Sequence, residues 1–334
     1  MNRPIIVLLL SFLFFCSIRA QQQSNVRIKT VGAENSWLIA DTLLNHPGLQ
    51  IPKAGFYLSS STIYRMALYA TLHKQYAKAL HLFKVSLGDA KPIYDSLIKF
   101  PIEDKNIQIP DFVHAVNDAD SAPATAMISQ SKPIKINRLL RSFQDGKKAG
   151  SYGLYIHVKQ PIPGKRKRFK WFGSVGHSFI TLIKYNTDGT SIQRTFGYYP
   201  KKHFVLEATP IFPMAASNFK NDSLHNWDES VGLFISKEKF HKILHLSRKY
   251  ARQHYHLSRR NCTDFVLAVA SISGIQIQQT EGSWPLGQGN DPGDTGQSLL
   301  ERKIKLTKNA LSENLLIVDT PTISSHRGAF TGQP

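Results

Sequence analysis

A cysteine at a predicted helix start is the residue best suited to covalent chemistry. Asn261 is a strong N-cap type and Asp264, three residues later, fits a capping box, so we expect a helix to begin at Cys262. A thiol in the first turn lies against the positive end of the helix dipole, which favours the thiolate. Arg259 and Arg260 lie just before it and would act in the same direction. Cys262 is therefore the candidate nucleophile.

A cysteine nucleophile needs a base, and the candidate is His177, which opens a predicted strand. Small residues precede it, so we expect its ring to be accessible and to meet Cys262 in space. A third polar group should hold the imidazole. In the expected hairpin register Tyr198 lies opposite His177, with Thr195 and Gln193 as alternatives further along the same strand. The predicted site is a Cys–His pair with a third residue from the neighbouring strand.

The elements that must position these residues divide the chain into two parts. Residues 21–148 show mostly helical spacing and no chemistry, so packing, docking or occlusion of a site are their open roles. Residues 149–318 show the alternation of strands, and residues 319–334 have the composition of a flexible tail. The predicted elements are helices at 60–85, 91–100, 136–143 and 236–250, strands at 152–158, 178–185, 190–199 and 231–235, a linker at 117–133, and a Gly/Pro-rich loop at 281–296.

The first twenty residues predict export. A short basic start, an apolar run and Ala20 before a glutamine tract are typical of a secretory signal peptide cleaved near Ala20. The run is shorter than the ~20 residues that a membrane span needs. Cys16 raises the alternative of a lipoprotein anchor, which the two bulky phenylalanines before it disfavour. Cleavage would leave Cys262 as the one cysteine, for which a buried, inert side chain is the other interpretation.

Three short motifs follow one another in a characteristic order, with the histidine strand before the cysteine helix. They resemble the circularly permuted papain-like hydrolases, which include permuted NlpC/P60 domains and lecithin:retinol-acyltransferase-like proteins. The resemblance runs from residue 152 to about residue 282 and implies an α+β domain, in which an antiparallel sheet packs on the helix that carries Cys262. It also implies a Cys262–His177 site for peptide or amide hydrolysis, often of cell-wall peptides, or for acyl transfer on lipids. The motifs are 176–180 (GHSFI), 196–200 (FGYYP) and 261–265 (NCTDF).

Charge and composition limit the partners. A formal charge of +19 favours anionic partners such as cell-wall carboxylates, acidic lipid surfaces or nucleic acid without choosing among them, and no nucleic-acid module is recognisable. Together with the resemblance, this charge makes an anionic envelope substrate, either a peptidoglycan peptide or an acidic lipid surface, the expected partner. A basic loop before His177 is the predicted rim that recruits this substrate, the alternative being a solvated loop. Trp284 would cover the cleft or simply pack in its own loop. The basic residues of the predicted rim are Lys165, Arg166, Lys167 and Arg168.

No metal or other cofactor is expected. His241 and His245 have i,i+4 spacing on a predicted helix, but no glutamate lies between them in a zincin pattern, so a packed or solvated face is favoured. Two cysteines exclude a disulfide-framework mini-protein and a four-cysteine zinc module.

Three functions from different classes remain. The first is an exported cysteine hydrolase of the amidase or peptidase type, acting in the bacterial cell envelope or cell wall. The second is a lipid-directed thioesterase or acyltransferase on the same scaffold. The third is an envelope-binding module that has the fold without turnover. A reactive thiolate at Cys262 would separate the first two from the third.

Overall fold

An antiparallel sheet of eight strands organises the parts of the chain that the computed structural model describes, which are residues 60–87, 131–167, 175–307 and 315–319. The strands of this sheet are β1 (Lys132–Ile134), β2 (Ala149–Lys159), β3 (His177–Asn186), β4 (Ser191–Lys201), β5 (Met214–Asn221), β6 (Glu229–Ile235), β7 (Tyr255–His256) and β12 (Leu316–Asp319). Their order is β1-β5-β4-β3-β2-β6-β12, and β7 pairs with β5. Two small hairpins pair β8 (Ile275–Ile277) with β11 (Ile304–Leu306) and β9 (Glu281–Trp284) with β10 (Gly287–Asn290).

Six helices accompany the sheet in these described ranges, which confirms the α+β class. They are α1 (Ser60–Leu72), α2 (Tyr76–Ser86), α3 (Ile136–Arg141), α4 (Lys237–Tyr250), α5 (Cys262–Ser273) and α6 (Pro292–Leu300). None of the helices in the described ranges has the length and apolar character needed to cross a membrane. All described residues fall within one unit of the chain.

The sheet buries both of its faces. On one face, β-strand side chains such as Ile180 and Leu182 share a continuous core with Phe240 of α4 and Phe265 of α5. On the opposite face the ring of Tyr76 in α2 packs at a tilt against Tyr155 and His157 of β2, with ring centroids 5.0 and 4.6 Å apart. Because successive strand residues point to opposite faces, β3 supplies side chains to both layers, and all ten of its residues are buried.

The helix caps and strands that the sequence predicts are present in the structure. Ser236 caps α4, accepting a hydrogen bond from the Lys239 N–H. Asn261 and Asp264 form the complete capping box of α5, and Gly274 ends that helix in the left-handed conformation. The predicted strands correspond to β2, β3, β4 and β6. Short-range capping and alternation therefore located most of the described elements after residue 148.

Four predictions need correction or addition. The loop predicted at 281–296 instead contains the β9–β10 hairpin and the start of α6, because Asp291 acts as the N-cap and Pro292 occupies the first turn. Lys132 and Pro133, the end of the predicted linker, belong to β1, which pairs with β5. β5 itself was not predicted, since its sequence lacks clear alternation. Asp319, the first residue of the predicted tail, is instead the last residue of β12. The signal peptide, Cys16, the helix at 91–100, the linker residues 117–130, Arg168 and the rest of the tail at 320–334 lie outside the described residues.

Candidate active site

The first turn of α5 is held by a dense set of hydrogen bonds. The Asn261 side-chain oxygen accepts from the N–H groups of Thr263 (2.8 Å) and Asp264 (3.0 Å). The Asp264 carboxylate accepts from the Asn261 N–H at 2.9 Å and from the Asn290 side chain at 2.7 Å. Because Asn290 ends β10, the β9–β10 hairpin braces the helix start. Cys262, at the first helical position, is thereby fixed against the positive end of the helix dipole.

The start of β3 is bonded directly to this helix start. The Ser178 hydroxyl lies 3.2 Å from the Thr263 hydroxyl, and the Ser178 N–H donates to the Cys262 sulfur. The preceding residue, Gly176, has φ +71°, and a Cβ there would collide with the Lys159 carbonyl oxygen and with Pro161. Only glycine therefore lets the chain turn into β3 at this point.

His177 and Cys262, the two residues that the sequence singled out, lie close enough for each to shift the pKa of the other through hydrogen bonding and charge. The ring was expected to be accessible, but it is 6 % exposed, because Tyr199 covers it with ring centroids 4.2 Å apart. Cys262 is also buried, with 8 % of its surface exposed. The buried position of Cys262 does not make it inert, because its environment is polar on the side of the histidine.

The third member of the site is Asp222, which follows β5. Its Oδ2 atom lies 3.1 Å from His177 Nε2, which leaves Nδ1 of the ring for the thiol. Its other oxygen accepts from the Tyr199 and Ser131 hydroxyls, each at 2.7 Å. The carboxylate is almost completely buried, and every one of these contacts fixes its orientation. The arrangement is an Asp222–His177–Cys262 chain, in which Asp222 is hydrogen-bonded to His177 and His177 in turn interacts with Cys262.

None of the three residues predicted for this role bonds the imidazole. Tyr198 donates to the Gln253 carbonyl oxygen, Thr195 bonds Thr181, and the Gln193 side chain bonds the Ala77 N–H and the Lys74 carbonyl oxygen. Tyr198 points to the face of the sheet that packs on α5, where it contacts Phe265. The signal that could have found Asp222 is a carboxylate at the end of a strand adjacent to β4, but β5 had to be recognised first.

The pKa values of the three groups favour a thiolate–imidazolium pair. Burial alone would lower the pKa of His177, but the hydrogen bond and charge of Asp222, followed by those of Cys262, raise it to about 9. Burial alone would raise the pKa of Cys262, yet the His177 interaction and the Ser178 N–H lower it below the ordinary thiol value. Burial likewise opposes ionisation of Asp222, but His177 holds the pKa of that carboxyl below its usual range.

A second histidine, His225, lies close to His177 but is not part of the Asp222–His177–Cys262 series. Its ring centroid is 5.2 Å from that of His177, and its Nδ1 lies 2.7 Å from the Asn226 carbonyl oxygen. Burial, and then the charge of His177, lower the pKa of His225 to about 4. At neutral pH His225 is therefore uncharged, and it leaves the positive charge on His177.

Two donors converge beside the sulfur. The Tyr255 hydroxyl lies within hydrogen-bonding reach of the Cys262 N–H and of the Cys262 sulfur. Burial, and then the charge of Cys262, raise the pKa of Tyr255 well above its ordinary value, so the hydroxyl keeps its proton. Sequence reasoning missed Tyr255, although it lies only seven residues before the cysteine. The Tyr255 hydroxyl is therefore placed to donate to an oxyanion that forms beside Cys262.

The basic residues of the predicted substrate rim differ in their exposure and in whether they form ion pairs. Lys165 and Lys167 are exposed, but Arg166 is paired with Asp294 at 3.4 Å and with Glu301 at 2.8 Å. Arg166 therefore fastens its loop to α6 and is not open to a substrate anion.

Trp284 lies at the end of β9, on the hairpin that braces the start of α5. Its indole packs so closely against Gly287 that a Cβ on this glycine would meet Trp284 Nε1 at 2.7 Å. Trp284 thus packs within its own hairpin, which is the second of the two interpretations that the sequence left open.

The two histidines of α4 lie apart from the site. No group of three histidine, cysteine, aspartate or glutamate side chains placed to hold a metal occurs in the described ranges, and this applies to His241 and His245 as well.

Gly197 of β4 lies beneath the His177–Asp222 contact. A Cβ at this position would collide with both Asp222 Oδ2 and His177 Nε2. We expect Gly197→Ala to lower turnover by about 100-fold or more, because displacing a catalytic group by about 1 Å has effects of that size. Gly150→Ala is the control, since a Cβ there meets nothing closer than 3.6 Å. Equal activity of the two purified variants would contradict this role of Gly197.

Asp222, His177, Cys262 and Tyr255, the groups that meet at the candidate site, all belong to this chain. No protein-family model, no curated protein and no solved structure matches the chain.

Proposed function

We propose that this chain is an exported cysteine hydrolase of the amidase or peptidase type, acting on an amide or peptide bond in the bacterial cell envelope. The Asp222–His177–Cys262 chain, with the pKa of the histidine raised and that of the thiol lowered, is the observation that carries the proposal. The fold is proposed to be the permuted papain-like arrangement. Its support is the chain order, in which the histidine strand β3 precedes the cysteine helix α5.

Each group has a defined part in the proposed reaction. The Cys262 thiolate attacks the carbonyl carbon, forming a C–S bond while the carbonyl oxygen becomes an oxyanion near the Tyr255 hydroxyl. His177 donates its Nδ1 proton to the leaving nitrogen as the C–N bond breaks. The neutral imidazole then takes a proton from water, which attacks the thioester and releases the carboxylic acid and the thiolate.

A lipid-directed thioesterase or acyltransferase on the same scaffold is the second candidate. One observation favours it: exposed apolar side chains lie two positions from each of two site residues. Val175 precedes His177 and is 50 % exposed, and Leu224 follows Asp222 and is 64 % exposed. An acyl chain would cover such side chains better than a peptide of polar residues would.

Alkylation of Cys262 tests the ion pair without any substrate. In the wild type, iodoacetamide should react at pH 7 through a thiolate that persists well below the ordinary thiol range. We expect His177→Ala to slow alkylation by about tenfold or more, because an ordinary thiol is only a few per cent ionised at pH 7. The measurement is the rate of mass increase at Cys262 across pH. His245→Ala, on the surface of α4, is the control; equal rates in wild type and His177→Ala would refute the proposal.

Substrate incubation separates the two candidates. Purified murein and phospholipid vesicles are each incubated with the protein, and soluble peptides and released fatty acids are measured. Peptide release that is lost in Cys262→Ala supports the hydrolase of the cell envelope. Fatty-acid release with the same dependence on Cys262 would replace it with the lipid-directed candidate.

A further inference from the structure

The connection between β4 and β5 exposes an unusual amount of apolar surface. Residues 202–214, called here the apolar loop, carry six of the eleven large apolar side chains that are exposed in the described ranges. Between 45 % and 84 % of each of these side chains is exposed. A contiguous group of this kind on a soluble surface marks an interaction site. The six residues are Phe204, Val205, Leu206, Ile211, Phe212 and Met214.

The loop has a defined structure of its own. Residues Glu207 and Phe212 form a bridge, the Thr209 hydroxyl donates to the Leu206 carbonyl oxygen at 2.6 Å, and the Glu207 carboxylate accepts from the His203 N–H at 2.7 Å. The Phe204 and Phe212 rings meet edge to face with centroids 5.7 Å apart. Because backbone and polar groups bond within the loop, the apolar side chains are left on its outside.

The charged residues around the apolar loop indicate which kind of surface the loop binds. Lys201, Lys202 and His203 enter it as exposed residues. Its one acidic residue, Glu207, is already bonded to the His203 N–H. Apolar side chains beside lysines match the interface of an anionic bilayer, where the side chains enter the acyl boundary and the ammonium groups meet lipid headgroups. A second copy of this chain is a poorer occupant, because each copy carries a formal charge of +19.

The loop is also joined to the segment that leads to the nucleophile. The Leu257 N–H donates to the Pro213 carbonyl oxygen at 2.8 Å, and Met214 pairs with His256 at the start of β5. In the next pair along these strands, Ala215 lies opposite Tyr255, the proposed oxyanion donor. We propose that the apolar loop docks this protein on the surface of an anionic phospholipid bilayer and so holds the active site at that surface.

Vesicle flotation tests the docking directly. The probe is vesicles of phosphatidylcholine with about one third phosphatidylglycerol, compared with pure phosphatidylcholine. Replacing Phe204 and Phe212 together by serine should weaken binding to the anionic vesicles by about tenfold or more, because two buried aromatic anchors are lost. Leu87→Ser is the matched control, since Leu87 is 50 % exposed, as Phe204 is, but lies at the end of α2. The wild type should also bind less tightly in about 1 M salt, where the Debye length is about 3 Å.

A second measurement reports on the loop itself. Phe212→Trp adds an indole to the apolar loop, and its emission, after subtraction of the wild-type signal from the four native tryptophans, should shift to the blue when anionic vesicles are added. Cys262→Ala should bind vesicles as the wild type does, so docking is judged separately from catalysis. Equal vesicle binding by the double serine variant and the wild type, or no change in emission of Phe212→Trp, would overturn the proposal. Self-association that depends on Phe204 and Phe212, without vesicle binding, would assign the loop to a second copy instead.

Discussion

Cys262→Ala should abolish turnover, with kcat falling by at least about 10⁴-fold, because the proposed reaction has no route to the acyl-enzyme without the sulfur. The reason is geometric as well as chemical. Cys262 is the one cysteine in the described ranges, and it lies at the first position of α5 with His177 and the Ser178 N–H directed at it. The measurement is peptide release from murein, or fatty-acid release if the lipid-directed candidate holds.

The fold of this variant is expected to survive. An alanine keeps the helix start, since the capping box uses the side chains of Asn261 and Asp264 and not that of Cys262. Circular dichroism and thermal denaturation should therefore resemble the wild type. Cys262→Ser gives a second test, because a hydroxyl in the same position is far less acidic than a thiol. Retention of more than about one hundredth of the wild-type rate by a folded Cys262→Ala would contradict the mechanism.

A site residue could be predicted from the sequence where it is positioned by contacts between residues that are close in the chain. The position of Cys262 follows from a capping box that spans four residues, and His177 follows from a strand signal that spans ten. Both are local patterns, so the sequence was sufficient to predict them. The α+β class followed from the same local signals.

Asp222 depends on contacts far apart in the chain, which no local pattern reveals. It reaches His177 because β5 pairs with β4, and its orientation is set by Ser131, a residue 91 positions earlier. The turn that follows it is held by Lys74, whose ammonium group donates to the Leu224 carbonyl oxygen at 2.7 Å and to the Asn226 side chain at 3.2 Å. The connection between α1 and α2 thus supports the turn that carries the carboxylate.

The role of the helices before the sheet is likewise a matter of tertiary packing. Leu80 of α2 lies against Gly153, so closely that a Cβ on this glycine would meet the leucine at 2.8 Å. The Trp227 indole donates to the Tyr76 hydroxyl at 2.9 Å, which ties α2 to the segment between Asp222 and β6. A helical pattern predicts that apolar side chains will be buried, but it does not say against which strand. The strand against which the helix packs is determined by how well the side chains of the two elements fit together.

Removing Asp222 should have the second largest effect. We expect Asp222→Ala to lower kcat/KM by about 10³-fold at pH 7, because the imidazole loses both the group that orients it and the negative charge that keeps it protonated. In the wild type, the alkaline limb of the pH profile should lie near pH 9, where His177 loses its proton. Without the carboxylate, burial dominates and lowers the pKa of His177, so this limb should move to lower pH.

The direction of this shift separates a positioning role from a purely structural one. Asp222→Asn retains an oxygen that can accept from His177 Nε2 but removes the charge, so it should recover part of the activity lost in Asp222→Ala while its alkaline limb still moves to lower pH. Because Tyr199 and Ser131 also donate to Asp222, thermal denaturation of each variant shows how much stability is lost. The profile of kcat/KM between about pH 5 and 10 is the deciding measurement. An alkaline limb that stays near pH 9 in both variants would mean that Asp222 does not control the protonation of His177.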